Sequence, residues 1–320
     1  MGSNIHRPGP ETLAAAGQLI RDGQLVAFPT ETVYGLGADA TNSMAVAGIF
    51  AAKGRPRFNP LIVHVPDLAA AQKLGVFSPM AKHLAAAFWP GPLTLVVTRV
   101  AGSPISDLVS AGLPTLALRV TSNPIAQALL RAADRPLAAP SANRSGHVSA
   151  TRAEHVAADL ADSVAMILDD GATTHGLESA IVDATGDTIV LLRPGAIPIE
   201  ALESITGTTI ARAKGHASQP TAPGQLESHY APRAAIRLNA ASVEMGEALL
   251  AFGPAPLAAT GPSFNLSRRG DLIEAAINLF SALRTLDASG AAAIAVMPIP
   301  NEGLGEAIND RLARAAAPRA

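Results

Sequence analysis

Pro56 governs the stretch that most constrains this chain, Lys53-Gly54-Arg55-Pro56-Arg57 with Phe58-Asn59-Pro60 directly behind it. A proline clashes inside a helix and removes a ladder hydrogen bond inside a sheet. The three cations are therefore expected on a tight loop, between a helical run over 43–52 and an apolar, strand-like run over 61–65. Helix, turn and strand in that order are the parts of an α/β fold. Like charges crowded together repel unless an anion neutralises them. On a chain of formal net charge −2 the cluster points to a phosphate or carboxylate site, with a solvated basic turn as the plain alternative. Exposed loop cations add little to stability, so Lys53 and Arg55 are expected to be removable without unfolding.

The same alternation continues along the chain. Helices are expected over 11–21, 79–89 and 124–133, and strands over 25–28, 93–97, 114–120, 164–168, 179–183 and 188–193. Residues 30–37 read as a polar, glycine-punctuated loop at a strand end. Gly35-Leu36-Gly37-Ala38-Asp39-Ala40 formally fits G-x-G-x-x-A, but Thr30 to Tyr34 separates it from the strand and no second strand with a ribose-binding acid follows. Asn42-Ser43 and Ser78-Pro79 are helix starts, and Thr151-Arg152-Ala153-Glu154 has the form of a capping box. Thr115 and Arg119 share one strand face, and a buried guanidinium there needs an anionic partner. His64, near the end of its strand, reads first as a core histidine. A small-residue strand from Leu137 enters Pro140-Ser141-Ala142-Asn143-Arg144-Ser145, whose hydroxyl and amide groups donate to phosphate oxygens without adding charge. Asp169-Asp170-Gly171 reads as a turn rather than a magnesium site, and Arg193-Pro194-Gly195 sets a cation at another strand end.

From Ala211 to Pro232 periodicity is lost and Ala, Ser, Pro, Gly and His dominate, as in a linker. Ser228-His229-Tyr230-Ala231-Pro232 within it holds an aromatic that a pure spacer does not need. Beyond it a strand over 236–238, a helical stretch around Ala248, a helix over 272–286, a strand over 293–296 and a helix over 306–316 make a small α/β domain. The expected division of the 320 residues is 1–210, a linker and lid over 211–234, and a Rossmann-like domain over 235–320. Cysteine is absent, which excludes disulfides, zinc ribbons, iron–sulfur clusters and thiol nucleophiles. A pI near 6.4 speaks against a nucleic-acid-coating protein. Residues 1–10 lack the apolar core of a secretory signal, and no apolar run reaches a bilayer's width, so a cytoplasmic protein without a membrane partner is expected.

Taken together, Pro29-Thr30-Glu31-Thr32-Val33-Tyr34-Gly35-Leu36-Gly37, Lys53-Gly54-Arg55-Pro56, Pro140-Ser141-Ala142-Asn143 and Arg193-Pro194-Gly195 resemble the YrdC-type threonylcarbamoyl-AMP synthases. Phe88-Trp89-Pro90-Gly91-Pro92-Leu93-Thr94 and His229-Tyr230-Ala231-Pro232 match as well, and the run from Gly303 to Leu312 looks like the extra domain of the family's long form. Gln225, where Met is frequent, and Asp170, where Gly is frequent, are small departures. The resemblance implies a twisted open α/β sheet with a concave basic cavity. It implies the reaction of ATP, L-threonine and bicarbonate to threonylcarbamoyl-adenylate and pyrophosphate, feeding threonylcarbamoyl-adenosine modification of tRNA. It implies threonine contacts at Thr32, His64, Arg119, Ala139 and Ser179. Nucleotide contacts follow at Arg55, Asn59, Thr115, Ser141, Asn143, Ser149, Arg193 and Tyr230, with Lys53 and Arg55 as catalytic cations. Mg²⁺ is expected on the triphosphate, held mainly by phosphates and water rather than by a protein metal site. Hand-over of the product to a tRNA threonylcarbamoyl transferase is expected, without stable nucleic-acid binding. An RNA-binding module and a carbamoyl transferase of hydrogenase maturation are the rival readings; the pI opposes the first and the lack of cysteine the second.

Overall fold

The computed structural model describes residues 4–213 and 221–318. The first sheet contains β1 (Ile5–His6), β2 (Val26–Phe28), β3 (Gly35–Asp39), β4 (Ile62–His64), β5 (Gly75–Val76), β6 (Leu93–Arg99), β7 (Thr115–Arg119), β8 (Leu137–Ala138), β9 (Met166–Leu168), β10 (Ala180–Asp183), β11 (Val190–Arg193) and β12 (Ala211–Arg212). Their spatial order is β1-β9-β2-β3-β8-β4-β7-β6-β10-β11-β12, with β5 on the flank of β6. Pairings of both senses occur: β4 runs parallel to β7, with His64 level with Arg119, while β8 lies antiparallel to both β3 and β4. The sheet is open and mixed, and the α/β class expected from the alternation is the one found.

Helices cover both faces because successive strand residues point to opposite sides. Val26 and Phe28 pack with the helices Pro10–Arg21 and Pro124–Ala133, through Ile20, Leu129 and Leu130. Ala27 joins the larger core, which takes Ile49 from the helix Ser43–Lys53, Leu84 from Pro79–Phe88 and Val156 from Ala153–Leu160. The Asn42 side chain accepts from the Met44 and Ala45 amides, and Ser78 accepts from Ala81, so both expected helix starts are capped.

Four expectations change. Residues 35–39 are a strand rather than loop: β3 pairs antiparallel with β2, and the Phe28 ring occupies the space that side chains at Gly35 and Gly37 would need. The capping box at Thr151 does not form. The helix begins one residue later with Arg152 as an uncapped N-terminus, and the Thr151 hydroxyl faces Ser281 at 2.9 Å instead. Lys53 is not a loop residue but the last residue of the helix Ser43–Lys53. Ala248 lies in a strand.

That strand belongs to a second sheet of β13 (Ala235–Arg237), β14 (Glu247–Ala251), β15 (Ser263–Asn265) and β16 (Ala293–Val296), all parallel in the order β13-β16-β14-β15. All five residues of β14 are buried. A central parallel strand reads as a continuous apolar run, and such a run looks alike in a buried helix and a buried strand. The helices Leu272–Ala288 and Leu304–Ala316 cover this sheet. Among the described residues no helix is long and apolar enough to cross a membrane.

The two sheets share a core. Val33, Val148 and Leu177 from the first unit cluster with Leu279, Phe280 and Leu283 of the helix Leu272–Ala288. Arg284 of that helix pairs with Asp159 at 2.6 Å. Gly176 has φ of 70°, and a Cβ there would stand 2.4 Å from the Ile277 backbone. Gly176→Val should therefore combine backbone strain with overpacking, and lower the unfolding free energy by about 1–3 kcal/mol in a denaturant titration.

Candidate active site

A cavity opens at the ends of the central strands of the first sheet. Its floor and walls come from Thr32 to Gly35 after β2, Ile62 and His64 of β4, Arg119 of β7, Ala139 to Ser141 after β8, Glu178 and Ser179 before β10, and Arg193 of β11. Arg55 reaches in from the basic loop. Pro223, Gly224, His229 and Tyr230, from the segment between the two sheets, complete the lining. The Thr30 hydroxyl accepts from the Thr32 and Val33 amides at 3.1 and 3.2 Å, which folds the segment after β2 back onto the opening.

Positive charge dominates here, under unusual burial. Lys53, Arg55, Arg119, Arg193 and Arg311 are all less than a tenth exposed. Lys53 Nζ donates to the Ser141 carbonyl at 2.6 Å and also to the Asn143 carbonyl. Burial, reinforced by the charge of Arg55, holds its ammonium well below the usual lysine range. Its removal would leave two buried carbonyls unserved, and the equally buried Arg55 serves two more, so the expectation that Lys53 and Arg55 are exposed cations removable at little cost is corrected. Arg57 is the exposed member of the cluster. Arg55 donates to the Asn59 and Pro60 carbonyls at 3.2 and 2.9 Å, and burial, with Arg193 acting in the same sense, lowers it to about 10. Arg193 donates to Ser179 O at 2.9 Å and to Pro223 O at 3.3 Å. Among the described residues no carboxylate lies within ion-pair distance of Arg55 or Arg193.

Arg119 does have an internal anion. Its Nη2 lies 2.8 Å from Glu31 Oε1, and Thr121 donates its hydroxyl to the other carboxylate oxygen. The Nη2–Oε1 contact is a charge pair set off hydrogen-bond geometry, since neither atom completes a hydrogen bond. Burial alone would raise the Glu31 carboxyl; the Arg119 charge and the Thr121 hydrogen bond outweigh it and hold the group at about 2. Glu178 is likewise held at about 2, chiefly by Arg311 and Arg193 against its burial. His64 and His229 are driven down to about 3 by burial first, so both are neutral at pH 7.

Of the residues expected at the site, Thr32, Arg55, His64, Arg119, Ala139, Ser141, Ser179, Arg193 and Tyr230 line this one cavity. Ser149 stands behind its wall, donating to Glu178 Oε1 at 2.6 Å. Asn59 and Asn143 are buried in and beside the basic loop, each with a side-chain oxygen that meets no partner among the described residues. Thr115 is not brought in: it starts β7 opposite Thr98, at the far end of the strand from Arg119. Asp169 accepts from the Gly171 amide at 2.9 Å, a turn, and Gln225 accepts from the Thr221 and Ala222 amides to close another. Residues 214–220 of the expected linker lie outside the described residues. Glu31, Glu178 and Arg311 carry charge at the site, and His229 a neutral buried imidazole, without a role assigned to them from sequence. The demand of a buried Arg119 for an anion pointed to a residue such as Glu31. Arg311 could have been found as the one cation on the apolar stripe Leu304, Ile308, Leu312 and Ala315.

Unpaired polar atoms concentrate at this opening. His64 Nδ1, His229 Nδ1 and Tyr230 Oη are buried and have no hydrogen-bond partner among the described residues. Such atoms cost free energy unless a ligand or water meets them. An open mixed sheet whose buried, cation-rich cavity is lined in part by the segment leading to a second sheet defines an anion-handling α/β enzyme.

A Sua5/YciO/YrdC family model, described as telomere recombination, matches residues 18–195. A second, described as threonylcarbamoyl-AMP synthase, C-terminal domain, matches 197–317. The threonylcarbamoyl-AMP synthase of Bacillus subtilis is 41% identical, over 96% of this chain and 93% of its own length. That of Pyrococcus abyssi is also 41% identical, over 94% and 92%. The crystal structure of Pyrococcus abyssi Sua5 complexed with L-threonine superposes with a TM-score of 0.89 at 37% identity, covering 98% of this chain and 96% of the other. The chain belongs to the Sua5/YrdC family of threonylcarbamoyl-AMP synthases.

The buried imidazoles set the acid behaviour of the fold. Unfolded histidines take up protons below their ordinary value of 6.5, whereas folded His64 and His229 exclude them down to about 3. Stability is therefore full above pH 6.5 and lost as pH falls, by about 1.4 kcal/mol for each histidine between pH 7.5 and 5.5. Below pH 4.5 protonation of unfolded Glu31 and Glu178 adds loss of the same sign. Urea midpoints measured across this range should fall accordingly, and His229→Gln should flatten the slope.

Proposed function

We propose that this chain converts ATP, L-threonine and bicarbonate to threonylcarbamoyl-adenylate and pyrophosphate, for the threonylcarbamoyl-adenosine modification of tRNA. One observation carries the reading: the cavity joins two distinct anion holders. Arg119, steadied by Glu31 and level with His64, forms one; Arg55 and Arg193, free of carboxylates and beneath Tyr230, form the other.

At the first, the Arg119 guanidinium offers more N–H donors than Glu31 and Gly91 take, and its fork suits the threonine carboxylate. Thr32, His64, Ala139 and Ser179 surround the rest of the amino acid. Neutral His64 hydrogen-bonds there without adding charge. At the second, Arg55 and Arg193 receive the phosphates, with Asn59, Ser141, Asn143, Ser149 and Tyr230 around the nucleotide; Thr115 belongs to this set on resemblance alone. Lys53 acts from behind, its charge directed through the 141–143 loop that it holds. The threonine amine condenses with bicarbonate to a carbamate, releasing water. A carbamate oxygen then attacks the α-phosphorus, and pyrophosphate leaves with its added charge facing preorganised cations. The linker roof keeps water from an adenylate that hydrolyses easily.

Mg²⁺ would travel with the triphosphate. The two acids nearest the cavity, Glu31 and Glu178, are both engaged by guanidinium groups. Among the described residues no cluster of three or more metal-ligating side chains occurs. Phosphate oxygens and water would thus supply the ion's coordination, and the ion would neutralise phosphate charge. The product passes to a tRNA threonylcarbamoyl transferase in the cytoplasm, without stable binding of RNA by this chain.

Pyrophosphate release from ATP should require both threonine and bicarbonate. Release that ignores threonine, or none at all, overturns the assignment. Arg119→Lys should raise the KM for threonine by about tenfold or more while leaving the KM for ATP nearly unchanged, because a point charge cannot reproduce the fork. An effect on ATP alone would remove Arg119 from the threonine half.

A further inference from the structure

The helix Leu304–Ala316 belongs to the layer over the second sheet, yet it sends one side chain into the wall of the first sheet's cavity. Arg311 is completely buried. Its Nε meets Glu178 Oε2 at 2.9 Å, Nη2 donates to the Pro194 carbonyl at 2.9 Å, and Nη1 meets Asp310 at 2.6 Å. Its guanidinium carbon lies 5.2 Å from the centre of the Tyr230 ring, which also meets the His229 ring edge-on at 4.0 Å and stacks on Phe280 at 5.6 Å. Three of these partners adjoin or form the nucleotide half of the cavity: Pro194 follows Arg193, Glu178 holds the Ser149 hydroxyl, and Tyr230 lines the opening.

Glu178 is the awkward member of that wall. It lines a cavity proposed to take a polyphosphate, and its second oxygen holds the Ser149 hydroxyl at 2.6 Å. A bare carboxylate here would repel the ligand and would be costly to bury. Arg311 removes both difficulties at once, and Arg193, which also faces Glu178, is left with carbonyl and hydroxyl partners only.

We propose that Arg311 is a positioning residue of the nucleotide site, supplied by the second unit. It neutralises Glu178 so that this acid can order Ser149 without opposing phosphate, and it backs the Tyr230 ring so that the phenol hydroxyl faces the cavity. The proposal rests on the nucleotide reading of the cavity given above. It makes the second unit a structural part of the catalytic site rather than an appendage.

The test compares full-length wild-type protein with Arg311→Met, Arg311→Lys and Arg311→Met/Glu178→Gln. Binding of a non-hydrolysable ATP analogue is measured by calorimetry, and KM values for ATP and threonine by pyrophosphate release. Arg311→Met should weaken analogue binding and raise the KM for ATP by about tenfold or more, the order of effect of one uncompensated charge in a water-poor cleft. The KM for threonine should move by less than about threefold, and Arg311→Lys should fall between. Removing the stranded acid in Arg311→Met/Glu178→Gln should bring nucleotide affinity back to within about threefold of wild type, which a purely structural role for Arg311 would not do. Wild-type nucleotide affinity in folded Arg311→Met overturns the proposal, as does a double variant no better than the single. If Arg311→Met does not fold, the double variant decides alone: near-wild-type affinity supports the proposal, and a tenfold loss refutes it. A wild type that binds the analogue but releases no pyrophosphate with threonine and bicarbonate overturns the proposed reaction and leaves the Arg311 comparison readable from binding.

Discussion

Buried positive charge is the constraint around which this molecule is arranged. Arg55, Arg119 and Arg193 lose nearly all contact with water in the lining of one cavity, with Lys53 and Arg311 buried behind it, while the acids beside them are Glu31, Glu178 and Asp310. Desolvating a guanidinium is costly unless its donors are met. The fold meets them with backbone: the carbonyls of Asn59, Pro60, Ser179 and Pro223 serve Arg55 and Arg193, and those of Ser141 and Asn143 serve Lys53. Dipoles reduce the cost without cancelling the charge, so a net positive field remains in the cavity. An anion entering it finds electrostatic stabilisation already oriented, with little reorganisation left to do.

Such an arrangement trades stability for function. Unpartnered atoms on His64, His229 and Tyr230, and a Tyr230 backbone at φ of 63°, are tolerated because the surrounding packing over-determines them. The shared core of Val33, Val148, Leu177, Leu279 and Phe280 provides that packing. It ties the segment that bears Tyr230 to both sheets.

Much of this was legible in the residues. The Pro56-bearing cation cluster, the cap at Asn42 and the helix–strand alternation over the first 193 residues are local signals, and local physics decides them. What misled was context. β3 reads as a glycine loop because its side-chain space is filled by Phe28 from the neighbouring strand, which one-dimensional pattern cannot show. β14 reads equally as helix or strand because burial on both faces erases periodicity. Lys53 was assigned to solvent because its partners are carbonyls nearly ninety positions away. Nine expected site residues converge as the motifs implied, whereas Thr115 shares a strand face with Arg119 but lies four residues along it, too far for one cavity.

Arg311 reaches Glu178 across almost the whole remaining length of the chain, and this order has a temporal side. On the ribosome the first sheet is complete, with Glu178 in place, well before the helix Leu304–Ala316 has been synthesised. Domains fold as they emerge, so the nascent first unit carries an unpaired acid in its wall and the apolar side chains of Val33, Val148 and Leu177 open to water. The helix Leu272–Ala288 covers the apolar side chains, and the helix Leu304–Ala316 pairs the acid. A chain in which the helix Leu304–Ala316 has not yet emerged is thereby left with a mispolarised pocket, its acid buried without the guanidinium that offsets it.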